Sequence, residues 1–533
     1  MGDRMNAATR FVDANVENGR AAKIAIRYAA DDSELSYGEV WRAVNRAGNA
    51  IRNLGISMEQ RVLLLLPDGP DFVATFFGAI KAGVVPVPVN TLLKSDDYHY
   101  LLNDSRASAI LVSEALLEVL EPVRGDLPYL RHLIVADAPP GPDGAAAAAL
   151  PRASGRHAVH ALSPLLEAAS AELDPEPMSP DDACFWLYSS GTTGFPKGTV
   201  HLQHDMGVCT DSYAAGVLSI SANDITYSVA KLFFAYGLGN ALYFPFSVGA
   251  TTILDPARPT PATVFRVLQR YQPTIFYSVP TNYGALLSAP EAPATLAGLR
   301  HCVSAGEALP EALYEAWMAR YGLEILDSIG STEVLHMFIA NRPGAARAGS
   351  SGQIVPGYEA RIVDSDDCPV PIGEVGELLI KGDSTCAFYW NRHEQTKATL
   401  LGDWIRTGDQ YRVDADGYFW YQGRADDMLK VGGIWVSPFE VESAVLAHPD
   451  VQEVAVVGAE DSAGLTKPKA FVVLGAGARD SREDRAVQAA EIQAFVKERI
   501  APFKYPRWIE FTDELPKTAT GKIQRYRLRE QSA

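Results

Sequence analysis

Residues 61–90 confine the chain to one broad class of fold. Val62–Leu66 is a short apolar run that reads as a buried strand, and Pro67-Asp68-Gly69 reads as a turn. Phe72, Phe76 and Ile80 then recur at spacing four, the mark of one helix face. Gly83 ends that helix and Val84–Val89 reads as the next strand. Strand, helix and strand at this spacing make a βαβ unit, which requires a parallel sheet and an α/β fold.

Further along, Pro273–Tyr277 and His301–Ala305 are β-rich and Ala312–Arg320 has a helical pattern. No repeat of fixed period is present. The low-complexity stretch 138–155, rich in Ala, Gly and Pro, reads as a surface loop. After Gly423 the character changes: strands Val451–Gly458 and Ala470–Leu474 accompany helix patterns at Pro438–Ala447 and Glu491–Ile500. This predicts a small α+β unit behind the polar stretch Gly423–Asp427. A length of 533 residues, at ~150 residues per domain, suggests about three to four domain-sized units in all.

Composition excludes several classes. Hydrophobic residues make up 47% and charged residues 21%, enough for an ordinary core. The net charge of −18 argues against a broad basic surface for nucleic acid or anionic lipid. The five cysteines, Cys184, Cys209, Cys302, Cys368 and Cys386, form no CxxC pair, as expected of a reduced cytoplasmic protein. The first twenty residues carry no apolar signal-peptide core, and no run reaches the ~18 apolar residues of a membrane span.

Chemistry first shows in Tyr188–Gly198, YSSGTTGFPKG, directly after the apolar run Cys184–Leu187. Gly191, Gly194 and Gly198 permit tight turns and close approach to an anion. Ser189, Ser190, Thr192, Thr193 and Lys197 can donate to phosphate oxygens. The order differs from the GxxxxGK[ST] loop of other nucleotide-binding proteins, because Pro196 precedes the lysine and Gly198 follows it.

Here the chain resembles the acyl-adenylate-forming superfamily of acyl-CoA ligases, adenylation domains and luciferases. Further motifs stand in that family's order: Ser304-Ala305-Gly306-Glu307, Asp327–Glu333 (DSIGSTE), Arg406-Thr407-Gly408-Asp409, Gly423–Lys430 and Pro516–Lys522 (PKTATGK). The resemblance implies ATP, Mg²⁺ and coenzyme A as reactants or cofactors. It implies that Gly306, Glu307 and Asp327 line the nucleotide site, that Thr332 bonds the α-phosphate and that Glu333 is the Mg²⁺ ligand, a hard oxygen donor. It further gives Asp409 and Arg424 to the ribose or phosphate edge, Asp426 to a hinge and Lys522 to catalysis. Gly432 and Gly433 would line the pantetheine path. On this reading residues 1–424 form a large N-terminal region of several subdomains, 425–426 the hinge and 427–533 a mobile α+β lid.

The segment Lys231–Asn240, KLFFAYGLGN, closely resembles that of benzoate and hydroxybenzoate CoA ligases, as do Ile329 and Val334-Leu335-His336. The resemblance implies a flat ring slot made by Ala235, Tyr236, Gly237 and Gly330, with His336 beside the ring. If residues 333–336 were helical, Glu333 and His336 would face one cleft. One departure is Gln203, where many relatives carry histidine, so the pocket floor is expected to differ. The neighbouring His201 and His204 lack further ligands at zinc spacing. The tail residues Lys504, Arg507, Lys517, Arg525, Arg527 and Arg529 are either a solvated face or a basic rim for CoA and pyrophosphate.

The resulting expectation is an AMP-forming ligase joining a benzoate-type acid to coenzyme A through an acyl-adenylate. The rivals are ligases for hydroxy-, amino- or halobenzoate, an adenylation enzyme loading a carrier protein, and a nucleotide sensor without turnover. A lysine acetyltransferase and deacetylase acting on Lys522 are candidate partners. Oligomeric state stays open, with a homodimer as one option.

Overall fold

The computed structural model describes residues 4–136, 157–189, 195–424, 427–431, 434–461, 465–475, 482–501, 504–517 and 523–532. The expected loop at 138–155 lies outside them.

The βαβ unit is present as strand Arg61–Leu65, helix Pro70–Lys81 and strand Val85–Pro88. Pro70 occupies the first helical turn, where its missing N–H is not needed. Gly83 follows the helix end at φ 77°, in the left-handed region that side chains resist, and leads into the second strand. The strands belong to a five-stranded sheet in which Val85–Pro88, Arg61–Leu65, Ala109–Ser113, His132–Ala136 and Ala158–Ala161 all pair in parallel.

Helix Tyr37–Asn53 begins with a reciprocal Ser36/Glu39 cap and packs on helix Pro70–Lys81. The two cross at Gly48 and Gly78. A Cβ on Gly78 would stand 2.8 Å from the Val44 carbonyl oxygen, so only glycine allows this approach. Phe72, Phe76 and Phe77 fill the adjoining core, Phe76 meeting Phe185 edge-on at 5.6 Å. Burying each such ring contributes about 1.5–3 kcal/mol.

A nine-stranded mixed sheet holds the strands that matter most for chemistry. Ile225–Ser228, Ile275–Ser278, His301–Ser304 and Ile325–Gly330 run parallel as neighbours, and Met337–Ala340 returns antiparallel. A hairpin of Ala183–Ser189 and Lys197–Leu202 is extended by Phe388–Tyr389. An antiparallel sheet carries Trp404–Val413 beside Phe419–Arg424.

Beyond residue 427 the chain builds a smaller α+β arrangement. Strands Val451–Glu460, Thr466–Leu474 and Trp508–Phe511 form one sheet, with helices Pro438–Leu446 and Arg482–Lys497 against it. The second helix starts earlier than its apolar pattern suggests. Its first turns are polar and alanine-rich, while Ile492 and Val496 supply the buried face.

Candidate active site

Ser189 pairs with Lys197 across the hairpin strands that flank the glycine- and hydroxyl-rich segment. Its residues Ser190, Gly191, Thr192, Thr193 and Gly194 lie outside the described residues, as do Asp426, Gly432, Gly433 and Lys522. The loop's exit is anchored. Phe195 stacks on Tyr100 at 4.6 Å, and the Tyr100 hydroxyl donates to the Pro196 carbonyl at 2.9 Å.

Ser189, Lys197, Thr332 and Glu333 come together at the base of this hairpin. The Ser189 hydroxyl donates to Glu333 Oε1 at 3.1 Å, and the Tyr389 hydroxyl donates to the same oxygen at 2.9 Å. The Lys197 ammonium lies over the Tyr389 ring, 4.1 Å from its centroid. Burial, and after it the Glu333 carboxylate, hold the Tyr389 hydroxyl protonated far above its usual range. Tyr389 therefore joins the lysine and the carboxylate, a role that no pattern in the sequence announces.

Thr332 and Glu333 sit in a short 3₁₀ turn, Thr332–Val334, capped by the Ser331 hydroxyl. The backbone fixes the turn at two more points: Cys386 N–H donates to the Glu333 carbonyl at 2.7 Å, and His201 Nε2 lies 2.8 Å from the Thr332 carbonyl. The other ring nitrogen of His201 lies 2.8 Å from Asp205, and both side chains are fully buried. Leu335 follows at φ 69°, so the segment is not helical and the expected helical juxtaposition of Glu333 and His336 does not occur. The chain instead turns directly into strand Met337–Ala340.

Glu333 suits a hard cation. Two hydroxyls occupy Oε1, and no cluster of three or more His, Cys, Asp or Glu exists among the described residues. A single carboxylate matches Mg²⁺, which keeps waters and substrate phosphates as its remaining ligands.

Asp327 lies across the parallel register from Ser304. Burial pushes its carboxyl up to about 8, and its Oδ1, like the neighbouring Ser304 Oγ, has no hydrogen-bond partner. A buried polar atom left unpaired is costly, and a water or a ligand group would satisfy it. Gly306 stands next to this strand end at φ 88°, and Glu307 accepts from the Thr281 hydroxyl at 2.8 Å.

Asp409 and Arg424 are cross-strand partners, and Arg424 Nη1 donates to Asp409 Oδ1 at 3.1 Å and to the Thr407 carbonyl at 3.0 Å. Gly408 sits at φ 74° between them, where a Cβ would meet Arg424 at 2.8 Å. The carboxylate and the guanidinium fork are thus held as a pair.

The ring segment is equally anchored. Asp68, in the turn of the βαβ unit, accepts from Leu232 N–H at 2.9 Å, and its burial raises its pKa to about 6. Ala235 and Tyr236 open the helical turn Ala235–Leu238, and the Tyr236 hydroxyl donates to the Ser278 carbonyl at 3.1 Å. Tyr236 and His336 stand 5.9 Å apart, centroid to centroid. Phe244 meets His336 edge-on at 4.4 Å, and burial lowers the imidazole pKa to about 3, so the ring is neutral.

The glycines of this site answer to the backbone around them. A Cβ on Gly237 would fall 2.1 Å from the Lys231 carbonyl oxygen, and one on Gly330 would fall 2.4 Å from that of His336. Both are glycine because backbone passes there. The residue that makes room for the His336 ring is Gly239, where a Cβ would lie 2.5 Å from Cδ2. Gln203 spends its carbonyl oxygen on Ala7 N–H at 2.8 Å, which ties down the N-terminal segment. His204 lies between the Pro180 and Asp383 carbonyls, at 2.9 Å from each.

Several tail cations are neutralised within their own unit. Lys504 pairs with Glu440, Lys517 with Glu453, Arg525 with Glu442 and Arg529 with Asp427. The basic rim is reduced accordingly, since these charges already have partners.

Residues 12–390 match the family described as AMP-binding enzyme, and residues 440–522 match the AMP-binding enzyme C-terminal domain. The chain belongs to the AMP-binding enzyme family. This AMP-binding enzyme is 49% identical over 532 residues to the benzoate–CoA ligase of Thauera aromatica, covering 99% of this chain and 96% of that protein. Among solved structures it superposes on an anthranilate CoA ligase in complex with anthranoyl-AMP at TM-score 0.91 and 41% identity, covering 100% of this chain and 98% of that one. A benzoate CoA ligase from Burkholderia xenovorans LB400 gives TM-score 0.88 and 44% identity, with 98% and 99% covered. Among the described residues, no helix of the enzyme is long and apolar enough to cross a membrane.

Proposed function

We infer that this AMP-binding enzyme ligates an aromatic carboxylate of the benzoate type to coenzyme A, using ATP and an acyl-adenylate intermediate. The likeness to a benzoate–CoA ligase over 99% of the chain carries this reading. In the first half-reaction a carboxylate oxygen of the acid attacks the α-phosphorus, and the bond to pyrophosphate breaks. In the second the thiol sulfur of CoA attacks the acyl carbon, AMP leaves and the thiol proton is released.

The chain contributes charge and position; no protein nucleophile is required. Glu333 would hold Mg²⁺, which offsets charge on the phosphates when bound. Ser189 and Tyr389 keep the Glu333 carboxylate aimed, and Lys197 adds a cation at the loop's exit. The turn tied by His201 presents the Thr332 hydroxyl to the α-phosphate. Asp327, with its unpaired buried oxygen, and the Asp409–Arg424 pair would receive the nucleoside. Lys522 supplies the cation for adenylation, and Gly432 and Gly433 line the thiol's path, as the family resemblance implies.

The proposed division at 424–427 is supported by how its flanks are tied. Arg424 is bonded to Asp409 and Thr407, whereas Asp427 is bonded to Arg529 in the last helix. A rotation between them, about Asp426, keeps both sets and exchanges only the bonds that Asp427 N–H and Met428 N–H give the Arg424 carbonyl, at 3.1 Å each. A cytoplasmic location follows from the need for ATP and CoA, and acetylation of Lys522 would remove the charge that adenylation uses. Benzoate-dependent exchange of pyrophosphate into ATP, followed by thioester formation with free CoA, tests the reading. Thioester formed only with a carrier protein would favour the carrier-loading alternative.

A further inference from the structure

Charge is distributed unevenly around the five-stranded parallel sheet. Arg61 opens its strand Arg61–Leu65, Ser108 directly precedes Ala109–Ser113, and Arg131 directly precedes His132–Ala136. These strands run parallel, so all three residues stand at the amino edge of the sheet. Ligands of open α/β sheets gather at the opposite, carboxyl edge. At the amino edge lies a cleft of about 180 Å³ lined by Arg61, Arg106 and Arg131 together with Gln60, Ser108 and Tyr129, and no Asp or Glu is in its lining.

Three arginines line the cleft in a chain of net charge −18, and the one carboxylate that acts on Arg61, Glu59, lies outside the lining. Arg61 spends donors on the backbone carbonyls of Ser105, at 2.8 Å, and Glu59, at 3.1 Å. Its guanidinium also stacks on two indoles, 5.4 Å from Trp186 and 5.1 Å from Trp390. Arg106 reaches the same Trp390 ring at 5.7 Å, from a left-handed backbone position at φ 52°. Burial, and next the charge of Arg106, lower the Arg61 pKa. The two like charges are thus close enough to repel, and an anion between them relieves that repulsion. Arg106, Arg131 and Tyr129 are exposed, leaving donors and an aromatic face open to a ligand.

We propose that this cleft is a second anion site, separate from the ATP site, that takes a small phosphate-bearing molecule on Arg61, Arg106 and Arg131. Guanidinium forks suit phosphate oxygens, and the half-exposed Tyr129 ring offers a stacking surface for a base. The cleft is linked to the hairpin through Arg61, whose guanidinium lies over Trp186 of strand Ala183–Ser189 and over Trp390. The backbone N–H of Trp390 donates to the Gly198 carbonyl at 2.8 Å, one residue after Lys197. A ligand drawing Arg61 toward itself changes the environment of both indoles.

Calorimetry with tripolyphosphate tests the site on the full-length enzyme, its active centre filled by a sulfamoyl analogue of benzoyl-adenylate. The expected result is one saturable equivalent per chain, accompanied by a change in tryptophan fluorescence. The Arg106→Glu/Arg131→Glu variant should bind at least about tenfold more weakly, with ligase activity in phosphate-free buffer unchanged. Absence of a saturable equivalent in the parent enzyme, or equal affinity in the variant, would overturn the proposal. Parallel titrations with ADP distinguish the sources of the anion. If Tyr129→Ala weakens ADP but not tripolyphosphate, the site is built for a nucleotide; if neither changes, it is built for phosphate alone.

Discussion

The hydroxyl of Tyr389 donates to Glu333 Oε1 at 2.9 Å while the same tyrosine's ring carries the Lys197 ammonium 4.1 Å from its centroid. One side chain thereby holds the carboxylate assigned to Mg²⁺ and the lysine at the exit of the phosphate loop. A hydrogen bond to a charged group contributes roughly 1.5–3 kcal/mol. Tyr389→Phe keeps the ring and loses that bond, so kcat/KM for Mg²⁺·ATP should fall by roughly ten- to a hundredfold, with little change in KM for the aromatic acid. Tyr389→Ala should lose more, because the lysine is released as well. Pyrophosphate exchange at varied Mg²⁺ measures both. Glu333→Gln should show the same Mg²⁺ defect in stronger form.

Gly239 sets the place of His336, by the 2.5 Å that would separate an added Cβ from the imidazole edge. Gly239→Ala should push the ring toward the acid-binding slot, at a cost of about 1–3 kcal/mol from overpacking. Benzoate turnover should fall while KM for ATP stays near its parent value. A panel of ring-substituted benzoates, compared by kcat/KM, reads how the slot has changed.

Asp68 gives a pH-dependent contribution to stability. Its pKa is raised from 3.8 to about 6, mainly by burial, so between those values the native state holds a proton that the unfolded chain releases. This contribution is present in full below pH 3.8 and is lost as pH rises through about 6. Asp68→Asn keeps an oxygen for Leu232 N–H and cannot ionise. Relative to the parent it should therefore gain stability as pH rises, by up to about 3 kcal/mol above pH 7. Urea unfolding of both proteins at pH 4.5, 6 and 8 measures the difference.

The legible parts of the molecule were those encoded locally. The βαβ unit shows in the spacing of Phe72, Phe76 and Ile80, and the hairpin loop in a continuous motif between Tyr188 and Gly198. Tyr389 was not legible, because it meets Glu333 from 56 residues away and belongs to a two-residue strand. The reading of Glu333 and His336 as one helix face failed at Leu335, whose positive φ no residue type announces. The basic tail left two readings open for a related reason. Counting Lys504, Lys517, Arg525 and Arg529 cannot show that Glu440, Glu453, Glu442 and Asp427 fold onto them.

Lys522 separates the two half-reactions. Its charge is assigned to adenylation alone, so Lys522→Ala should block adenylate formation yet let supplied benzoyl-adenylate react with CoA. Asp426→Pro, which fixes φ near −65° at the proposed hinge, should impair one half-reaction much more than the other. Single-turnover kinetics of each step, on variants shown to be folded, supplies the comparison.

One chain makes an aromatic acyl-adenylate and passes the acyl group to coenzyme A. Rapid quench of the enzyme with benzoate, Mg²⁺ and ATP, first without CoA and then with it, tests this most directly. Benzoyl-AMP and pyrophosphate should form together before CoA is added. The adenylate should then decay as benzoyl-CoA and AMP appear in equal amounts. Release of ADP and phosphate, or benzoyl-CoA formed without prior benzoyl-AMP, would contradict it.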